Sequence, residues 1–246
     1  MRVQALCLDA TGTLIETAEP VGQVYRRHAL EQGVDLPAWR IEDAFRRILV
    51  QAPPRGLAGG NPVARRQAVG DWWRECVRQT FQATDSTLRF ADFETFAGSL
   101  FDFYHQGAAW RVRAGIRDML VALRDRGLPL AVVSNFDHRL IKILQNTNLY
   151  DFFDFILIPS ESALQKPDRR LFEQAAARLG VPLEQLGYLG DDSPEVLAAI
   201  ARLGPVVFDI REIGEPARIP DLVFATATLP PRADATDATD ATDVAE

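Results

Sequence analysis

Four short polar clusters, each following an apolar run or a loop, carry the residue types that could do chemistry in this 246-residue chain. The first is Asp9-Ala10-Thr11-Gly12-Thr13, directly after the strand-forming run that begins at Val3. An aspartate at the end of a buried strand costs desolvation free energy unless it is paired or used. Placed there, the carboxylate can act as a covalent nucleophile towards a phosphoryl group. The same residues also fit a plain strand-to-turn transition closed by an Asx turn. The second cluster, Ser134-Asn135, ends the apolar run 128–133 and offers small hydrogen-bonding groups suited to phosphate oxygens or to ordinary turn chemistry. Asp137, just beyond, reads as a helix N-cap. The third is Lys166-Pro167-Asp168, a compact positive charge at the head of a helix, with Asp168 as its cap. The fourth is Gly190-Asp191-Asp192-Ser193-Pro194. Adjacent acids at a strand end, near another strand-end carboxylate, suit a hard cation such as Mg²⁺. Asp191 is the expected ligand, while Asp192 or Ser193 can instead cap the helix that opens at Pro194.

The elements that must position these clusters follow from the periodicity. Apolar spacing predicts helices over 21–31, 41–51, 65–81 and 90–105, so a purely helical stretch follows the first strand. From Arg113 onward the pattern alternates. Helices over 115–126, 137–149, 168–179 and 194–203 separate strands over 128–134, 155–158, 186–189 and 206–208, with a last strand near 222–224. Such alternation predicts an α/β fold, a parallel sheet with helices on both faces. In open sheets of this type the ligand site lies beyond the carboxyl ends of the strands, where the clusters fall. The glycine-rich stretch 55–62 reads as a loop, able to serve as hinge, lid or linker. Trp72-Trp73 fit core packing better than a pocket wall, and Arg65, Arg66 and Arg74 fit a solvated face better than an anion site.

Composition narrows the function classes. The net charge of −7 includes five acids in the repetitive Ala-Thr-Asp tail 233–246, which leaves −2 on the rest. A near-neutral body argues against a nucleic-acid partner held through phosphates. No apolar run approaches membrane-spanning length, so no membrane partner is expected. Cys7 and Cys76 stand far apart with no CxxC pattern, and His28, His105 and His138 lack ligand spacing. The start of the chain lacks the features of a secretory leader, so a soluble cytoplasmic protein is the expectation. The tail 230–246 reads as disordered.

Taken in order, strand-DxTGT, helical insert, strand-SN, K-P-D and strand-GDD resembles the haloacid dehalogenase-like (HAD) hydrolase superfamily, in its branch with a helical cap after the first motif. The resemblance implies a Rossmann-like core over 1–17 and 106–229 with an all-helical cap over 18–105. It implies Asp9 as the nucleophile that forms an aspartyl-phosphate, and Lys166 as the balancing cation. It implies Mg²⁺ held by Asp9, the Thr11 carbonyl and Asp191. Thr13 would steady the first loop on the substrate-binding side, with Ser134 and the Asn135 backbone gripping the phosphoryl oxygens of a small phosphorylated metabolite.

Two positions depart from the family pattern. Thr11 stands where family phosphatases carry a second aspartate as acid and base, so proton transfer to the leaving group and hydrolysis of the intermediate are expected to be slow. Five residues past Asp191 stands Val196 instead of a further acid, with Glu195 or Asp192 as substitutes. These departures keep two alternatives in view: a weak or inactive phosphate-ligand-binding protein, and a metal-independent 2-haloacid dehalogenase. The second requires tyrosines where Thr11 and Phe172 stand, and the Gly190-Asp191-Asp192 run weighs against it.

Overall fold

The computed structural model describes residues 3–53 and 60–225. Most of the glycine-rich stretch, the domain limit at 229 and the acidic tail therefore lie outside the described residues.

The chain opens with β1 (Ala5–Leu8), a turn and the short strand β2 (Ile15–Thr17). Four helices follow, α1 (Val21–Glu31), α2 (Ala38–Gln51), α3 (Pro62–Thr84) and α4 (Phe93–Phe103), and then β3 (Trp110–Val112). The alternating part comprises α5 (Ile116–Asp125), β4 (Leu130–Val133), α6 (Arg139–Asn146), β5 (Phe155–Leu157), α7 (Pro159–Ser162), α8 (Arg169–Leu179) and β6 (Leu186–Gly190). It closes with α9 (Pro194–Leu203), β7 (Val206–Asp209), α10 (Ile210–Ile213) and α11 (Ile219–Ala225).

Five strands form a parallel sheet in the order β5-β4-β1-β6-β7. β1 is central because it is apolar on both faces, and every residue in it is buried. Alternation sends Leu6 and Leu8 into the core under α5, α6 and α11, and Ala5 and Cys7 into the core under α8 and α9. β4 divides in the same way, with Leu130 and Val132 on the first face and Ala131 and Val133 on the second. The chain winds outward from β1 through β4 to β5, then returns to the other side as β6. The strand order therefore reverses beside β1.

The helices α1–α4 share an apolar core of their own, in which Tyr25, Phe81 and Phe96 are fully or almost fully buried. They leave and rejoin the sheet layer through an antiparallel ribbon that pairs Thr17 with Trp110 and Ile15 with Val112. This ribbon was not legible in the spacing, since each strand has three residues and the partners lie 93 positions or more apart.

One expected element is corrected. Residues 222–224 are helical, inside α11, and form no strand. Their apolar run fits a strand by propensity, but Ile219, Pro220 and Val223 bury on one face at helical spacing against α5. Among the described residues, no helix is long and apolar enough to cross a membrane.

Candidate active site

The nucleophile candidate sits where β1 runs out. Asp9 continues the sheet ladder, its N–H donating to the Leu189 carbonyl at 2.9 Å, so the ends of β1 and β6 are held side by side. The chain then turns tightly around the Ala10 carbonyl, which accepts from the N–H groups of Thr13, Leu14 and Ile15. Gly12 has φ +82°, in the left-handed region that favours glycine. A Cβ at Gly12 would also stand 1.9 Å from Asp191 Oδ2, so the Asp191 carboxylate lies directly against the turn.

Lys166 is buried and reaches into the same space. Its Nζ lies 2.9 Å from Asp9 Oδ1 and 2.8 Å from Asp192 Oδ1, and it donates to the Tyr188 hydroxyl at 2.7 Å. Tyr188 in turn donates to Asp192 Oδ2 at 2.5 Å. Burial alone would lower the Lys166 pKa, but the charges of Asp9 and Asp192 overcome it and hold the ammonium above its ordinary value. Burial, with the same two carboxylates adding to it, pushes the Tyr188 phenol far up and keeps it a proton donor.

The loop after β4 fastens this lysine. The Asn135 side chain accepts from the Lys166 N–H at 2.7 Å and donates to the Lys166 carbonyl at 3.2 Å. Ser134, buried at the strand end, accepts from the Phe136 N–H. The peptide bond between Lys166 and Pro167 is cis.

Of the residues singled out in the sequence, Asp9, Thr11, Ser134, Asn135 and Lys166 all line one cavity of about 740 Å³. That volume falls within the range of small-molecule sites. Thr13 is not a cavity residue: its side chain is fully buried, and its hydroxyl donates to Asp191 Oδ1 at 3.0 Å. It orients that carboxylate and does not itself face a ligand. Asp191 packs behind the turn, next to the cavity lining.

Whether a cation fits here turns on the donor set. Asp9 and Asp192 flank the ammonium of Lys166, and Asp191 adds a third carboxylate within electrostatic reach of both. Burial first, and the Asp9 charge second, push the Asp191 carboxyl up, partly opposed by the bond from Thr13. Asp9 Oδ1 meets Lys166 through charge, with no aligned hydrogen bond among the described residues. Among the described residues no group of three or more His, Cys, Asp or Glu side chains is arranged to hold a metal. A cation here would therefore rely on one or two carboxylates, a backbone carbonyl and water, a set that suits Mg²⁺.

Several expectations resolve differently. Glu195 is exposed and is not among the residues that line the cavity. Asp192 belongs to Lys166. Asp137 is buried and pairs with Arg139 at 2.8 and 2.7 Å, and it also accepts from the Trp73 indole at 2.9 Å. Asp168 does cap its helix, accepting from the Arg170 N–H. Arg65 is buried, not solvated: it donates to the carbonyls of Gly60, Ser160 and Glu161 and ties α3 to α7. Trp73 lines the cavity, whereas Trp72 donates to the Pro53 carbonyl.

Two contributors escaped the sequence reading altogether. Arg113 donates to the Gly12 carbonyl and so clamps the turn. Tyr188 bridges Lys166 and Asp192. A tyrosine inside a fully buried strand, two residues before Gly190, was the available signal, because its hydroxyl needs a partner.

Comparison with known proteins bears on the family and the fold. Residues 3–202 match the family model for haloacid dehalogenase-like hydrolases. The mouse haloacid dehalogenase-like hydrolase domain-containing protein 3 is 34% identical over 195 residues, covering 78% of this chain and 75% of that protein. Among solved structures, an L-2-haloacid dehalogenase superposes with a TM-score of 0.67 at 18% identity, over 91% of this chain and 99% of that one. A HAD phosphatase from Thermococcus onnurineus superposes with a TM-score of 0.56 at 20% identity, over 91% and 98%. At such identities the structural likeness speaks to the fold alone. The family match, the relative and the four converging strand-end clusters together show that this chain belongs to the haloacid dehalogenase-like hydrolase family.

Proposed function

We propose that the protein hydrolyses a small phosphate monoester through an aspartyl-phosphate on Asp9, with Mg²⁺ as cofactor. The observation that carries this reading is the second carboxylate: Asp191 lies against Gly12, held by Thr13, beside the charge of Asp9. A dehalogenase acting without metal has no need of that excess negative charge. Helices α1–α4, read as a cap over 18–105, supply the wall that selects the alcohol.

In the first step an Asp9 carboxylate oxygen forms a bond to phosphorus as the ester P–O bond breaks. The departing alkoxide takes its proton from solvent. In the second step water attacks, the bond from phosphorus to Asp9 breaks, and inorganic phosphate leaves with Asp9 restored. Asp9, the Thr11 carbonyl and Asp191 would hold Mg²⁺, which supplies charge stabilisation at the phosphoryl oxygens. Lys166 adds a fixed positive charge beside the attacking oxygen, and Ser134 with the Asn135 backbone orients the phosphoryl group. Thr11 is a poor proton donor and a poor base, so departure of the alcohol and breakdown of the intermediate are both slow.

The test is phosphate release from an ester with a good leaving group, measured with Mg²⁺, with a chelator, and in Asp9→Asn. Release that needs Mg²⁺ and falls roughly 10³-fold or more in the variant is expected. Release indifferent to chelator removes the metal from the reading. Halide release from a 2-halo acid without metal replaces the reading by dehalogenation.

A further inference from the structure

The cavity is asymmetric. At the sheet end stand Asp9, Ser134, Asn135 and Lys166, while the wall contributed by the helices is built from side chains such as Val21, Phe45, Trp73, Val77, Leu100 and Phe101. The cations on that wall are already matched. Arg139 is buried, forks onto Asp137 and stacks over the Phe101 ring at 4.0 Å. To turn it towards a ligand would leave the Asp137 charge buried and uncompensated. At the rim, Arg66 is drawn to Glu161 at 2.7 Å and Arg74 to Asp71 at 2.7 Å, and Asp102 adds negative charge.

Tyr104 and His138 also line this space, and burial pushes the Tyr104 phenol up and the His138 imidazole down, so neither brings a charge to the wall near pH 7.

We propose, resting on the phosphatase reading above, that the cavity selects monoesters of an apolar, ring-sized alcohol that bears no second anion. An aromatic or alicyclic body fills the wall. Esters whose alcohol part is a carboxylate or a polyhydroxylated sugar leave their polar groups facing apolar side chains, which costs binding.

Calorimetry on the Asp9→Asn protein with Mg²⁺ separates binding from turnover. The probes are a hydroxynaphthyl phosphate, naphthyl phosphate, phosphoglycolate and glucose 6-phosphate. The aromatic esters should bind roughly 10–100-fold more tightly than the other two. Phe101→Ser should erase most of that ratio while leaving the affinity for inorganic phosphate unchanged, which guards against a folding defect. Equal or tighter binding of phosphoglycolate or glucose 6-phosphate overturns the inference, as does failure of both aromatic esters to bind. If the aromatic preference holds in binding while the wild-type protein releases phosphate from none of the esters, the hydrolase reading fails and the assignment of the wall stands.

Discussion

Asp9, Lys166, Asp192 and Tyr188 form a unit in which each member limits what the others can do. The buried ammonium is held charged by two carboxylates, and Tyr188 fixes where it stands. Because its folded pKa is raised above the unfolded value of 10.5, its contribution to stability is fully present below that pH. It is lost only as pH climbs through the raised folded value. Asp192→Asn removes one of the charges that raise it, so the alkaline loss of stability should begin at lower pH than in the wild-type protein, visible in thermal melts carried up to and beyond pH 10.5. Beside this unit, Thr11 is exposed to the cavity and carries no ionisable proton at neutral pH. Thr11→Asp should therefore speed phosphate release by roughly 10²–10⁴-fold, with the gain in kcat and little in KM. A fall in activity would show that Thr11 does something other than stand in for an acid. The four clusters were legible in the sequence because a strand end followed by a polar turn is a local signal. The pairing of Lys166 with Asp192 was not, since it joins residues 26 positions apart across α8 and β6 and is made only by the tertiary fold.

At the scale of elements, Arg65 is one of the buried contacts that join the helices to the sheet layer. Its guanidinium serves three carbonyls on two sides of the join, Gly60 next to α3 and Ser160 and Glu161 on α7. Arg65→Ala should cost on the order of 2–4 kcal/mol, since buried carbonyls lose charge-assisted bonds together. Denaturant midpoints at unchanged slope check this. Arg65→Lys, which retains the charge without the fork, should recover only part of the loss. The long helices and the alternating strands were readable from period alone, because each runs for two turns or more or is apolar throughout. α7 and the β2–β3 ribbon were not, being three or four residues long and stabilised by partners remote in sequence. At 222–224 propensity and tertiary packing disagree, and packing decides.

For the molecule as a whole, the site is a local excess of negative charge built into a fold that is otherwise close to neutral. Mg²⁺ should therefore act as a stabilising ligand as well as a cofactor, by about 2.7 kcal/mol at a hundred times its dissociation constant. Asp191→Asn should reverse both effects. Without metal it should melt at a higher temperature than the wild-type protein, because a buried like-charge contact with Asp9 is gone, and added Mg²⁺ should then shift its melting little. A wild-type melting curve indifferent to Mg²⁺ would remove the cation from the site.

The ribbon that pairs Thr17 with Trp110 has a bearing on how such a protein changes over generations. Chain leaving the sheet layer at Thr17 returns to it at the neighbouring strand, and Ala18 still donates to the Ala109 carbonyl. Everything between is a closed loop whose two ends meet at one fixed gate. Arg113, just past the returning strand, then reaches back to the Gly12 carbonyl. Lengthening, shortening or exchanging the looped segment leaves that gate, and the register of Asp9 behind it, untouched. Lineages could thus trade one substrate for another by rewriting the loop, while inheriting the chemistry of the strand ends unaltered.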